Sequence, residues 1–207
     1  MSAFPPVPRV EGIAAPMLRA NIDTDQIIPS REIRGVAKTG LAPGLFAGER
    51  YLPGREPDPA FVLNQEPYSQ ATILLGGANF GCGSSREHAV WALHEWGIRA
   101  VVAESFAPIF FANCTRNGIV PAAAGPGVAN IAAWVAADPA NRRVRVETLA
   151  GVVEADHAYP FDLPEEARAM LAEGLDGIAL TLKHLPAILA WEARDRAERP
   201  WLWSVAA

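Results

Sequence analysis

The stretch of this sequence best equipped for chemistry is Asn79-Phe80-Gly81-Cys82-Gly83-Ser84-Ser85-Arg86-Glu87-His88. Its glycines let the backbone approach a ligand closely. Two hydroxyls, Ser84 and Ser85, are followed at once by the planar donor fork of Arg86, which suits a carboxylate or phosphate. A helix opening just after the glycines would add the unbonded N–H groups of its first turn to the pull on an anion. A small anionic ligand is therefore expected. Two nucleotide-binding patterns fail on a required residue. A phosphate loop needs Lys-Ser/Thr after its last glycine, and here Gly83 is followed by serine. A dinucleotide fingerprint needs a third Gly or Ala where this chain has Arg86. Ser84-Ser85-Arg86-Glu87 also reads as a Ser-x-x-Glu capping box, with Ser84 accepting the N–H of residue 87. Both roles are compatible, because donors at a helix start would also stabilise a serine alkoxide. His88 is expected as a packed helix residue. A Cys82–His88 nucleophile pair lacks an orienting third group.

The elements that must position this stretch lie on either side of it. Ala71-Thr72-Ile73-Leu74-Leu75-Gly76 suits a buried strand, and Ala89, Ala92, Leu93 and Trp96 fall at i, i+3, i+4 and i+7 of a helix that Gly97 would end. Ala100–Ala103 reads as a second strand, Ser105–Asn117 as a helix begun by a serine cap and stopped at Gly118, and Ile119–Pro121 as a third strand. This order implies a parallel sheet flanked by helices, an α/β fold, with the glycine-serine stretch at the carboxyl edge where such sheets bind ligands. Further on, Val128–Ala137 reads as a helix, and Val144–Glu147 with Val152–Glu154 as a hairpin. Glu165–Glu173 reads as a helix ended by Gly174, Gly177–Lys183 as a mixed run, and Pro186–Arg196 as a last helix. Before the core, Asn21–Pro29 reads as a polar turn sealed by proline. Gly35–Gln70, rich in glycine and proline, shows no sustained period and is expected as loop with short helical turns and a functional or partner-dependent role.

Composition narrows the classes. The 207 residues carry 18 basic and 23 acidic side chains, a net charge of −5, which disfavours nucleic-acid binding. No apolar run is long enough to span a membrane and no signal-peptide pattern opens the chain, so a cytoplasmic protein is expected. Two cysteines, Cys82 and Cys114, are too few to hold an iron-sulfur cluster and are expected as buried thiols, and the four histidines show no metal-ligand spacing. No metal or other cofactor is expected on this chain.

Four blocks, in order, resemble one family: Asn21-Ile22-Asp23-Thr24-Asp25 with Ile27-Ile28-Pro29, Asn79 to Ala89, Ser105-Phe106-Ala107 with Ile109-Phe110, and Gly174-Leu175-Asp176-Gly177-Ile178 with Leu180-Thr181-Leu182. Together they resemble the small subunit of 3-isopropylmalate dehydratase, of the aconitase superfamily. The resemblance implies one swivelling β/β/α domain over residues 1–207, like the C-terminal domain of aconitase. A substrate-loop region would lie at about 30–70 and a helical C-terminal appendage at about 164–207. It implies a large-subunit partner carrying a 4Fe-4S cluster, a small dicarboxylate substrate, and a dehydration and rehydration that interconverts 2- and 3-isopropylmalate in leucine biosynthesis. Residue by residue, Ser84 resembles the base whose alkoxide takes the carbon-bound proton. Ser85 and Arg86 resemble the pair that holds a substrate carboxylate, Asp25 an acid near the site, and Arg34 a second carboxylate grip. The chain departs from the family pattern at Val90, Glu32 and Lys38-Thr39-Gly40-Leu41-Ala42. The last two fall in the substrate-selecting region, so a related hydro-lyase acting on methylmalate or dimethylmalate is the alternative, as is a non-catalytic partner of a large subunit.

Overall fold

Ile73-Leu74-Leu75-Gly76 and Ala100-Val101-Val102-Ala103 are apolar at every position, a pattern that belongs in a sheet covered on both faces. In the computed structural model, which describes residues 4–33, 35 and 37–203, both are central strands. In chain order the elements are β1 (Arg9–Gly12), β2 (Ala14–Met17), α1 (Thr24–Ile27), β3 (Ile73–Gly76), α2 (Glu87–Trp96), β4 (Ala100–Ala103), α3 (Pro108–Arg116) and β5 (Val120–Ala123). They continue with α4 (Gly127–Ala137), β6 (Val144–Glu147), β7 (Val152–Glu154), β8 (Ala158–Pro160), α5 (Glu165–Glu173), α6 (Gly177–Leu182) and α7 (Leu185–Glu198). A parallel sheet runs β2-β3-β4-β5 and an antiparallel sheet runs β1-β6-β7-β8. The expected α/β architecture is thus present.

Side chains alternate across a strand, and that alternation divides the core in two. Leu74, Val101 and Ala103 face one cluster with Ala89, Ala92 and Leu93 of α2, Phe110 and Cys114 of α3, and Phe80. Ile73, Leu75, Ala100 and Val102 face the other, with Val128, Ile131 and Val135 of α4, Val10, Val144, Val146 and Val153 of the antiparallel sheet, and Leu171 of α5. Both prolines of the parallel sheet, Pro16 and Pro121, sit in its edge strands β2 and β5, where a missing N–H is tolerated.

The structure departs from the expectations at definite places. Strands β1 and β2 lie in a stretch whose pattern announces no element, because Gly12 and Pro16 interrupt the period that marks a strand. The polar turn Asn21–Pro29 contains the single-turn helix α1, for which Asp23 caps Gln26 and Gln26 caps back. Helix α3 starts at Pro108 rather than Ser105, since the Ser105 hydroxyl accepts the N–H of Asn79 (2.8 Å) instead of capping the helix. Gly177–Leu182 is helical, with Asp176 as its cap. The Gly35–Gln70 stretch forms short 3-10 turns at Ala42–Gly44, Val62–Asn64 and Tyr68–Gln70. It is not a loose loop throughout: Leu45, Phe46 and Leu63 are fully buried in the α2 side of the core.

Candidate active site

Three chain segments leave the carboxyl edge of the parallel sheet side by side, and main-chain bonds lock them together. The segment after β3 is the glycine-serine stretch. On one side it meets the segment after β2: Asn21 N–H donates to the Ala78 carbonyl (2.8 Å), Gly81 N–H to Ile22 (2.7 Å), and Thr24 N–H to Cys82 (2.9 Å). On the other side it meets the segment after β4: Phe80 N–H donates to Ser105 (2.9 Å) and Ala107 N–H to Phe80 (3.0 Å). Asn21 and Asn79 both take left-handed backbone angles, φ 57° and 55°, and their side-chain amides join at 2.8 Å. Gly81, at φ 75°, passes so close to Phe110 that an added Cβ would stand 2.1 Å from the ring, so only glycine fits.

This frame delivers Ser84 and Ser85 to the surface, both exposed. The expected capping box does not form. Helix α2 begins at Glu87 with Arg86 in the cap position and no side-chain cap bond, because Arg86 N–H closes a tight turn onto the Ser84 carbonyl (2.7 Å) and carries Ser84 away from the helix end. The Ser84 hydroxyl lies instead 3.3 Å from the hydroxyl of Thr24, which also donates to the Ser84 carbonyl at 3.1 Å. Thr24 is only 2 % exposed, so a buried hydroxyl stands behind an exposed one.

Arg86 is half-buried and pairs through Nη1 with Asp25; the same nitrogen lies 3.5 Å from the Ile28 carbonyl. Ser30 donates to the same Asp25 oxygen at 3.3 Å. The bond from Arg86 holds the Asp25 carboxyl below its usual range, against a smaller upward push from burial. The structure therefore brings Ser84 and the Arg86–Asp25 pair together at the carboxyl edge of the sheet, where the sequence places the glycine-serine stretch, with Ser85 exposed between Ser84 and Arg86. Arg34 lies outside the described residues.

Thr24 was not foreseen. Its segment stood out as polar, and Asp23-x-x-Gln26 carries a readable capping signal that fixes where α1 begins. Which of its residues turns inward follows only from the packing. Cys114 is fully buried, and burial raises its thiol pKa well above the usual value; Cys82 is only half-buried, so the expectation of two buried thiols holds for one. Cys82 contributes its carbonyl to Thr24, and no hydrogen bond joins it to His88 among the described residues. His88 packs against Trp91 with ring centroids 4.7 Å apart. Among the described residues no group of three or more His, Cys, Asp or Glu side chains is gathered as a metal site, and no helix is long and apolar enough to cross a membrane.

Comparison with known proteins gives the chain its family. A family model for the aconitase C-terminal domain matches residues 5–125, and one for the C-terminal domain of the 3-isopropylmalate dehydratase small subunit matches residues 178–202. A 3-isopropylmalate dehydratase small subunit of Cupriavidus necator is 57 % identical over 196 residues, covering 92 % of this chain and 94 % of that protein. The 3-isopropylmalate dehydratase small subunit 2 of Salmonella typhimurium is 42 % identical, covering 94 % of each. The crystal structure of a 3-isopropylmalate dehydratase from Methanocaldococcus jannaschii superposes with a TM-score of 0.63 at 27 % identity, over 88 % of this chain and 99 % of that one. Matched nearly end to end by such relatives, and over residues 5–125 by the aconitase C-terminal domain, the chain belongs to the family of 3-isopropylmalate dehydratase small subunits within the aconitase superfamily.

Proposed function

We propose that this chain serves as the base-bearing half of a two-subunit hydro-lyase, interconverting 2- and 3-isopropylmalate, with Ser84 as the group that removes and returns the carbon-bound proton. The observation that carries this reading is the Ser84–Thr24 hydroxyl pair beside the Arg86–Asp25 ion pair on one open face. As an alkoxide, Ser84 takes the proton from the carbon next to the one bearing the hydroxyl. The bond left behind becomes the double bond of 2-isopropylmaleate as hydroxide departs. On rehydration Ser84 returns its proton to the other carbon, and hydroxide adds to the neighbour, so that one water is lost and one regained. The Thr24 hydroxyl can rotate its proton toward the Ser84 oxygen, stabilising negative charge from the buried side.

Arg86 spends Nη1 on Asp25, which fixes the guanidinium plane and leaves the rest of the fork to meet a substrate carboxylate, with Ser85 beside it. An ionised Asp25 repels a second carboxylate, so it acts mainly by orienting Arg86 and by accepting a substrate hydroxyl. Arg34 is proposed as the grip on the second carboxylate. The residues of this chain do not fit an iron-sulfur cluster, since Cys114 is buried and Cys82 stands apart from other ligand types. The cluster, which supplies a Lewis acid for the departing hydroxyl, is assigned to the large subunit. Ser84 and Ser85 face solvent, and a serine alkoxide is far too basic to persist in water. The large subunit must then form the other wall of the site and exclude water from it. The reaction is placed in the cytoplasm, with no role for nucleic acid.

Reconstitution tests this. The chain is co-purified with candidate large subunits and assayed on a panel of alkylmalates. The proposal requires turnover only in a cluster-bearing complex and highest kcat/KM on isopropylmalate. A higher value on methylmalate or dimethylmalate would transfer the same mechanism to the smaller substrate. Turnover by this chain alone would overturn the two-subunit reading.

A further inference from the structure

Arg50 is 3 % exposed, and among the described residues no carboxylate pairs with it. A buried guanidinium without a counter-ion is costly, so what it holds is informative. It lies between the ring faces of Tyr51 (4.7 Å) and Trp96 (4.6 Å), and its Nη2 donates to the carbonyls of Ala42 (3.1 Å) and Pro43 (2.9 Å). The opposite polarity of the same short segment is taken by one carboxylate. Glu95, near the end of α2, accepts the N–H groups of Gly40 (2.7 Å), Leu41 (2.5 Å) and Ala42 (2.9 Å). Burial pushes the Glu95 carboxyl up, but the three N–H donors together outweigh it and leave the group below its usual range.

These contacts close a ring. Arg55 makes a two-pronged pair with Glu32 (3.0 and 2.9 Å) and reaches the Pro43 carbonyl at 3.3 Å. Glu32 ends the 3-10 turn that begins at Ser30, and Ser30 donates to Asp25, the partner of Arg86. Arg86 leads directly into α2, which carries Glu95 at its other end. The Ser30–Glu32 turn and the Gly40–Pro43 segment are thereby fastened at opposite ends of α2, with the Arg86–Asp25 pair as one fastening and Glu95 with Arg50 as the other.

We propose that Glu95 and Arg50 are positioning residues that clamp Gly40–Pro43 and so set, through Arg55 and Glu32, how the Ser30–Glu32 turn is held against the Arg86–Asp25 pair, tuning substrate selectivity without touching substrate. The inference rests on the reading of Ser84, Arg86 and Asp25 as the site. It accounts for a buried cation and a triply bonded carboxylate that the chemistry at Ser84 leaves unused.

The test uses the assembled two-subunit enzyme with Glu95→Gln, Glu95→Ala and Arg50→Met. Glu95→Gln retains size and one acceptor oxygen, so it answers the question even if Arg50→Met fails to fold. Amide exchange at Gly40, Leu41 and Ala42 should quicken by about tenfold or more in Glu95→Ala. The ratio of kcat/KM between isopropylmalate and a smaller alkylmalate should change by about twofold to thirtyfold, the range for residues that act through a contact network. That change should fall on KM, with kcat on the best substrate kept within about threefold, and Glu95→Gln should lie between wild type and Glu95→Ala. Unchanged exchange would show that Glu95 holds nothing. Faster exchange with unchanged KM and selectivity would reduce the clamp to a structural tie. Either result overturns the inference while leaving Ser84 untouched, whereas full turnover by a Ser84 variant removes the site reading whatever Glu95 does.

Discussion

Replacing Ser84 with alanine or asparagine separates a structural serine from a catalytic one, and the geometry fixes both magnitudes. A serine that capped α2 would cost about 0.5 to 2 kcal/mol on conversion to alanine. Here the hydroxyl is exposed, makes no cap bond, and among the described residues has one side-chain hydrogen-bond partner, Thr24 at 3.3 Å. Thr24 keeps its bond to the Ser84 carbonyl at 3.1 Å, so no buried hydroxyl is orphaned. The stability loss should therefore stay at or below about 0.5 kcal/mol, the ordinary range for a surface change. For a chain of this size that is a fall in Tm of about 2 °C or less. Turnover in the assembled enzyme should fall by at least about a hundredfold, with KM nearly unchanged, as expected for loss of a general base. The assay pairs a melting curve of the isolated chain with steady-state kinetics of the complex at verified cluster content. A Ser84→Asn complex that turns over near the wild-type rate would falsify the catalytic assignment. A loss of about 2 kcal/mol, with the kinetics explained by unfolding, would return Ser84 to a structural role.

Two further outcomes follow from the frame and the charges around it. Gly81→Ala should destabilise the chain by about 2 to 5 kcal/mol, because overpacking against Phe110 adds to the strain of a left-handed backbone at φ 75°; chemical denaturation reads it, and a loss under about 1 kcal/mol would mean that the segment shifts freely. The lowered Asp25 carboxyl contributes stability that is present above the ordinary aspartate value of about 4 and is lost as pH falls through its folded value. Asp25→Asn should accordingly flatten the acid limb of the stability curve, and an unchanged limb would deny that Arg86 holds the carboxylate in solution.

The parallel core was readable because its strands are apolar at every position and are separated by helix patterns with clear stops, Gly97 above all, which takes the left-handed angle that ends α2. The antiparallel sheet was half readable: β6 and β7 alternate around Ala150-Gly151, whereas β1 and β8 carry too few periodic residues to show a strand. The serine caps misled for a shared reason. Ser105 spends its hydroxyl on the Asn79 N–H of another segment, and Ser84 is turned from the helix end by the bond of Arg86 N–H to its carbonyl so that its hydroxyl faces Thr24; a pattern along one chain segment cannot show a contact across two. For the same reason the motif named Ser84, Ser85 and Arg86 but left Thr24 unseen.

Burial of polar groups supplies the signal that local pattern lacks. Thr115 and Thr148 are buried with their hydroxyls spent on carbonyls, of Ala112 and Val7, and need no further explanation. Thr24 and Arg50 differ in kind. Thr24, like Thr148, reaches a carbonyl of another segment, but that carbonyl and the hydroxyl beside it belong to the residue on which the proposed chemistry turns. Arg50 holds the carbonyls of a segment that Glu95 holds by its amides, and its Nη1 remains buried without a hydrogen-bond partner. An apolar residue of similar volume would pack at either position without the cost of desolvating a polar group. Polar side chains at these two positions are therefore explained by what they hold in place. One stands behind the exposed serine, and the other fastens the Ala42–Pro43 segment that Glu95 grips from α2.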